Sequence, residues 1–351
     1  MSALPPSLVS APVLPLLVPL SGAAAGHYAV RVLAGAAPAP MLPLAYVPWL
    51  YLTPAHQTLQ QQPGEALHFF LEDTRAGQTV AQLPVAWDPA ERAARSPWRA
   101  PFGAVQTAPD LPADVLRAFL EVVETTLLAH GVGSLTLRPH AFAYEPAASA
   151  RLTAVLTGLG YHIAPVELNS YLPLNRDYST HLHPSEQRRL RKCARHGLRF
   201  EQEPPLLLLP LAYEFIHRCR QEKGQPLNMS LEQLQELFRG LPRHCFLFSV
   251  RDAAGEWAAV SVAIQVRADV LYHFLPASPL AYNHLSPMVL MNAGLHAFGR
   301  ASGMRLLDLG ISAVPAGVDQ SLLRFKSHIG GVTGLKLTFS KQLGMSDSVN
   351  E

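Results

Sequence analysis

Two stretches of the chain share one outline of apolar and polar positions, 178 residues apart. LHFFLEDTRAGQTVAQLPVA (Leu67 to Ala86) aligns without a gap with CFLFSVRDAAGEWAAVSVAI (Cys245 to Ile264): an apolar run, a charged turn closing on Ala-Gly, then an alternating run. That pattern predicts a β-hairpin in each case. After each hairpin comes a long helical pattern ending at a glycine and then a strand, LLAHGVGSLTLRP around Gly131 and FGRASGMRLLDLGI around Gly303. Each strand leads to a short helix, ending at Gly160 and Gly330, and on to another strand. The offset drifts only from 178 to 172 to 170 residues, as small loop changes within duplicated domains would produce. Each copy therefore reads as hairpin, helix, strand, helix, strand. This is an α/β (α+β) arrangement of helices on a mixed, mostly antiparallel sheet.

The pattern places the boundary near Pro165, with an N-terminal domain over residues 27–165, a C-terminal domain over 166–345 and a tail over 346–351. The second copy is longer. It opens on a strand from Glu167 to Leu174 and a helix after Pro184-Ser185-Glu186, with Ser185 placed as N-cap. A strand from Leu198 to Gln202 follows, then helices from Pro210 to Lys223 and Ser230 to Leu237, separated by prolines at 204, 205 and 210. Residues 1–26 are apolar and end in small residues like a secretory signal, but no Lys or Arg precedes the apolar run and five prolines interrupt it. They are expected to form a flexible leader.

A length of 351 residues exceeds one ordinary core, which agrees with two domains. With 49% hydrophobic and 15% charged residues the chain is globular rather than disordered. A net charge of +2 is too small to mark a general nucleic-acid binder, leaving only local clusters to matter. Cys193, Cys219 and Cys245 cannot close a disulfide set and have no zinc spacing, which points to a reducing, cytoplasmic setting and no metal. His181 and His183 form an HxH with no second ligand pair at metal spacing. No apolar run reaches the roughly 18 residues needed to span a bilayer.

One difference between the copies bears on chemistry. In QSLLRFKSHIGG, Leu322, Leu323, Phe325 and Ile329 form an apolar stripe when wound at about 100° per residue, and Lys326 projects from its middle. The matching helix of the first copy carries Leu156 there. Lys326 either snorkels along its stem to the rim or meets an anionic group where two strands splay apart.

The order of elements is that of the Gcn5-related N-acetyltransferase (GNAT) fold. The tandem pair resembles the Fem-type peptidyltransferases and CelD-like acetyltransferases over about Val30 to Leu343. The residues that carry the likeness are HPSEQRRLRKCARHGLRFE, RCRQEKGQP, LYHFLPAS, SPMVLMNAGLHAFGRASGMRLLDLGIS, QSLLRFKSHIGG and SPWRAPFGAVQ. The resemblance implies an N-acyltransferase whose second domain holds the site and whose first supports it. Fem-like sequences also keep a lysine in the FK-plus-glycine setting of Lys326. Two departures bear on the donor. The loop that wraps coenzyme A pyrophosphate in ordinary members is here PASPLAYNHLSP, Pro276 to Pro287, with no glycine. The space between Arg199 and Tyr213 also leaves no room for the helical arm often seen in enzymes using aminoacyl-tRNA.

Against that background, Asp308, near the end of the strand from Met304 to Leu309, either removes a proton from an attacking amine or pairs with Lys326. Ser312 binds substrate or closes the turn. Tyr272 and His273 point to opposite faces, and Tyr272 is the better general acid toward a leaving group. Asn283, His284 and Ser286 precede the helix from Pro287 to Arg300, whose amides suit phosphate, although Ser286 as a plain N-cap before Pro287 is the simpler account. Arg188, Arg191, Lys192 and Arg195 share one helical face with no interleaved acid, which suits an anionic partner: a coenzyme, a phosphate-bearing acceptor, tRNA or a membrane surface. The expected function is acyl transfer, from acyl-CoA (acetyl-CoA), to an amine on a small molecule or cell-envelope precursor. The alternatives are aminoacyl-tRNA as donor and a non-catalytic anion-binding protein on a degenerate GNAT fold.

Overall fold

Both predicted hairpins form. A computed structural model describes residues 15–20, 26–60, 64–314 and 317–344, and the chain falls into two units, 1–166 with 337–351, and 167–336. In the first unit the strands are β1 (Leu16–Pro19), β2 (Tyr28–Ala34), β3 (Glu65–Asp73), β4 (Gln78–Asp88), β5 (Ala93–Ser96), β6 (Gln106–Thr107), β7 (Ser134–Leu137) and β8 (His162–Ile163). Its helices are α1 (Pro54–Gln57), α2 (Ala113–Ala129) and α3 (Pro146–Gly158). β1 to β5 run in chain order across the sheet, β6 pairs with β4, and β7 lies parallel to β5. Helix α2 buries Val115, Leu116, Phe119, Leu120, Val123 and Leu127, a spacing of three and four that brings one stripe onto the sheet.

The second unit contains β9 (Glu167–Pro173), α4 (Pro184–Arg195), β10 (Arg199–Glu203), α5 (Pro205–Glu222), α6 (Leu231–Gly240), β11 (Cys245–Arg251), β12 (Trp257–Arg267) and β13 (Val270–Ala277). It continues with α7 (Pro287–Ala301), β14 (Leu306–Ile311), β15 (Ala313–Val314), β16 (Gly317–Val318), α8 (Gln320–His328) and β17 (Val332–Lys336). Its main sheet has the order β10-β11-β12-β13-β14-β9-β17, antiparallel except between β13 and β14. Leu172, Phe248, Leu271 and Leu307 share a core with Met291 and Leu295 of α7 and Ile329 beyond α8. That core defines the face of the sheet covered by α4 and α7.

Four expectations are corrected. The C-terminal domain does not run to 345: the strand Phe339–Gln342 joins the first unit, between β7 and β8, with Phe339 opposite both Leu137 and Ile163. Burial of Leu337, Phe339 and Leu343 in the first core draws it there. In the second sheet the corresponding place, next to last, is taken by β9, which follows directly on the first unit. The leader is not wholly without structure, since β1 pairs with β2, Leu16 opposite Val32; residues 1–14 and 21–25 lie outside the described ones. Helix α5 starts at Pro205 and runs through Pro210, because Pro205 takes the first helical position and the carbonyl deprived by Pro210 belongs to exposed Leu206. The N-cap of α4 is His183 rather than Ser185, its ring accepting from the Ser185 amide at 3.3 Å.

Candidate functional site

The parallel strands β13 and β14 pair only from Val270 with Leu306 to Tyr272 with Asp308. Beyond that row β13 runs on to Ala277, whereas β14 bends, its pairing with β9 shifting between Asp308 and Ile311. The bend needs Gly310, whose φ of +73° lies in the left-handed region that side chains disfavour. The opening between two parallel strands at their carboxyl ends is where α/β sheets receive ligands.

Lys326 reaches this opening from α8. Its Nζ donates to Gly310 O at 2.8 Å and Ile311 O at 2.7 Å, and the residue is only 5% exposed. Lys326 is thus deeper than Leu322 of the expected apolar stripe, which is 36% exposed. The snorkelling reading fails: two carbonyls turned inward by the Gly310 bend hold the amine. Of its three protons, two are used in these bonds. Burial lowers its pKa to about 8, against the opposing influence of Asp308 and Asp319. The helix can approach so closely because Gly330 and Gly331 follow it; a Cβ on Gly331 would stand 2.6 Å from Lys326 O, and one on Gly330 2.4 Å from His181 Cβ. In the first unit, the position matched to Lys326 is Leu156, fully buried in apolar surroundings.

Asp308 is buried and shapes the bend. Its Oδ1 accepts from Asn169 Nδ2 at 3.0 Å and from Gly310 N at 2.7 Å. The lysine's hydrogen bonds to Gly310 and Ile311 run to the main chain, and the Asp308 charge acts on the amine from nearby, favouring its protonated form. A chain of contacts also leads from Asn169 through Asp308 to Gly310 and so to Lys326. Tyr272 stands opposite Asp308, on the face away from Leu271, and its ring lies over Gly310, 3.6 Å from where a Cβ would be. Burial and the Asp308 charge raise its pKa. His273 faces the helices; burial first, then the charge of Lys326, lower its imidazole to about 3, so it is neutral. Ser312 is buried, its amide donating to Leu168 O and its carbonyl accepting from Asp319 N, with Asp319 capping α8.

The loop from Pro276 to Pro287 is pinned by side chains. Glu222 Oε2 accepts from Leu280 N at 3.0 Å, Lys223 Nζ donates to Ser278 O at 2.7 Å, and Lys192 Nζ donates to His284 O at 2.7 Å. The Asn283 and Ser286 amides are spent on turn bonds. Ser286 takes the N-cap position ahead of Pro287, but its side chain does not cap the helix: the residue sits at φ +57°, its hydroxyl donating to Asn283 O. A pyrophosphate wrapped here would meet a carboxylate at one amide and spent donors at others, so coenzyme A fits the loop poorly. Nearby on α4, Arg188, Arg191 and Arg195 are exposed, and no ion pair is recorded for them among the described residues. Arg189 pairs with buried Glu186 at 2.7 Å. Among the described residues no group of three or more His, Cys, Asp or Glu is placed to hold a metal, the three cysteines are free and buried, and no helix is long and apolar enough to cross a membrane.

Asn169 and Gly310 escaped the sequence reading. Asn169, a lone amide inside the strand pattern ELNSYLPL, was the available signal.

A charged Lys326 costs folding free energy that is recovered in alkali. The ordinary lysine value is 10.5 and the folded value about 8. Between them the unfolded chain keeps a proton the folded chain has lost, so unfolding free energy rises with pH through that window. Urea titrations at pH 7 and pH 10 are expected to show the rise for wild type and a smaller one for Lys326→Met.

No family model matches the chain, and no curated protein matches it in sequence. Solved structures do match in shape. FemX superposes with a TM-score of 0.60 at 13% identity, over 79% of this chain and 88% of its own. A tandem GNAT protein from the clavulanic acid biosynthesis pathway gives 0.50 at 14%, over 88% and 92%. L-PGS from Bacillus licheniformis gives 0.51 at 12%, over 78% and 84%. The fold is that of tandem GNAT proteins, with a Fem-like likeness.

Proposed function

We propose that the second unit transfers an acyl group, in the form of an aminoacyl ester on tRNA, to an amine. The observation that carries the reading is the buried Lys326 ammonium at the point where β13 and β14 part. Held by two carbonyls, it has one proton left to offer the oxygen of an acyl carbonyl under attack, in a place that excludes water and strengthens the interaction. Asp308 keeps the bend that aims Lys326. Tyr272, neutral because its pKa is raised, gives a proton to the departing carrier oxygen in this reading. The first unit, with leucine at the matched position, is a supporting body.

The choice of carrier rests on the loop and on α4. Spent amides and Glu222 disfavour the coenzyme A pyrophosphate, whereas three exposed arginines suit a polyanion that lies along the surface. A cell-envelope precursor is the acceptor class most consistent with the Fem-like and L-PGS-like shape.

The test supplies the full chain with labelled acetyl-CoA or a pool of labelled aminoacyl-tRNAs, together with lysine, glucosamine and ethanolamine-headed lipid as amines. Label is expected to leave tRNA for an amine. In Arg188→Ala/Arg191→Ala/Arg195→Ala, the slope of log affinity for tRNA against log salt should shrink by roughly two to three. Transfer from acetyl-CoA alone would establish the acyl-CoA alternative. Transfer from neither would leave an anion-binding protein.

A further inference from the structure

The first sheet opens between parallel strands much as the second does. Strands β5 and β7 pair from Ala93 with Ser134 to Ser96 with Leu137, and Gly103 N still reaches Arg138 O at 2.8 Å. Beyond that bond the chains part: one continues as β6 along β4, and the other turns off at Pro139 and passes Phe142 into α3. In the gap lies a cleft of about 570 Å³, continuous with solvent and walled by Leu116, Phe142, Leu152, Leu337 and Phe339. Leu156, matched to Lys326, is buried in the core and is not among the walls. All of these residues belong to the first unit.

His140 and Glu145 also line this cleft. The imidazole is held by aromatic rings: it stacks on Tyr144 at 5.5 Å between centroids and lies 5.0 Å from Trp49, with Phe102 edge-on. Its Nδ1 is 3.0 Å from Ala141 O, and since a carbonyl only accepts, Nδ1 carries the hydrogen. In the neutral ring Nε2 is then an acceptor, and it faces Glu145 Oε2 at 3.5 Å. Two acceptors set face to face need a donor. Either the ring takes a second proton, or a donor enters from the cleft. A metal ion is a poor candidate, because it takes three or four protein ligands and among the described residues no third His, Cys, Asp or Glu joins these two. Arg151, the cleft's remaining charge, spends both Nη1 protons on Pro109 O at 2.6 Å and Leu111 O at 2.9 Å.

We propose that the first unit binds an alkylammonium in this cleft, its nitrogen donating to His140 Nε2 and Glu145 Oε2 and its carbon chain lying along the apolar walls. An ammonium has three N–H groups, so it satisfies both acceptors at once and leaves one for water. Its charge meets the carboxylate, and bonds to an ionised group are the stronger kind. The side chains of His140 and Glu145 are 10% and 30% exposed, which shields the pair in part from water. A hydrocarbon body suits the five apolar walls, whereas a bare inorganic cation would leave them wet. The inference goes beyond the transfer reading and does not depend on it: the first unit has a ligand of its own whether or not the second turns over.

Calorimetry on the full chain tests the site, with propyl-, butyl-, pentyl- and hexylammonium as probes. Saturable binding is expected, tightening about three- to fourfold for each methylene that the walls cover. Hexanol, which lacks the charge, and hexanoate, which would have to use Arg151, should bind at least tenfold more weakly than hexylammonium. Glu145→Gln keeps the shape of the side chain and should weaken hexylammonium at least tenfold. Ala148→Leu adds bulk to the cleft from a half-buried position on α3, leaves His140 and Glu145 untouched, and should weaken it as much. If Glu145→Gln does not fold, Ala148→Leu and the comparison of hexylammonium with hexanol on wild type carry the decision. No heat from any amine at millimolar concentration means that the ring keeps its own second proton, and overturns the proposal. So does hexanol or hexanoate binding as tightly as the amine. Amine binding that survives both substitutions belongs to another place on the chain, such as the acceptor position of the second unit, and overturns this site while leaving the transfer reading intact.

Discussion

Lys326→Met is expected to lower kcat for transfer by about 100- to 1,000-fold, the usual cost of losing a donor aimed at a developing oxyanion. KM for the donor should change little, because the interaction strengthens only as charge develops on the oxygen. Methionine keeps the length and apolar stem of lysine, so the loss is not one of packing. It leaves the Gly310 and Ile311 carbonyls without their donor, which costs stability, but it also removes a charge whose burial is unfavourable. The variant should therefore fold. Since the ammonium form is the active one, wild-type rate should fall as pH rises through about 8. Single-turnover measurements from pH 6 to 9.5 check both points: a flat profile, or a methionine variant within threefold of wild type, removes Lys326 from the chemistry. Asp308→Asn, which acts on Lys326 through the bend and through its charge, should cost less.

Ending the chain at Lys336 is expected to unfold the first unit while sparing the second. The strand Phe339–Gln342 fills a place inside the first sheet, and Leu337, Phe339 and Leu343 are buried at 7%, 1% and 7% exposure. At about 1.5–3 kcal/mol for each such side chain, their loss totals roughly 5–9 kcal/mol. That rivals the entire stability of an ordinary domain, about 5–15 kcal/mol. Hydrogen exchange read by mass spectrometry should show protection lost across β2, β3 and α2 and retained across β11, β12 and α7. The milder Phe339→Ala, expected to cost about 3–5 kcal/mol, should weaken protection in the same peptides. Equal protection of β3 in full-length and shortened chains would show the strand to be dispensable.

Much of the architecture was legible because hydrophobic pattern reports local structure. The two hairpins, the glycine-terminated helices and the unequal residues at 156 and 326 were all visible in sequence. Strand exchange was not, since nothing in TFSKQL distinguishes pairing with β7 from pairing within its own half. The same holds for the bend. That Gly310 turns two carbonyls toward an amine depends on Asp308 and Asn169, 139 residues apart, meeting across the shifted pairing of β14 with β9. Ser286 holds the expected N-cap position without a capping bond, for a local reason. Serine before proline is a favoured helix start, but the turn from Leu280 to Tyr282 delivers the chain to α7 in a left-handed conformation, with the hydroxyl already committed.

The strand that completes the first sheet is made only after the whole second unit. At about 5–20 residues per second, the 170 residues of the second unit impose a wait of roughly ten to thirty seconds. Throughout it β7 and β8 stand apart with bare edges in a crowded cell, where exposed edges invite foreign strands. For this protein, newly made chains should depend on chaperones far more than finished ones, and codon choice over the second half should govern yield.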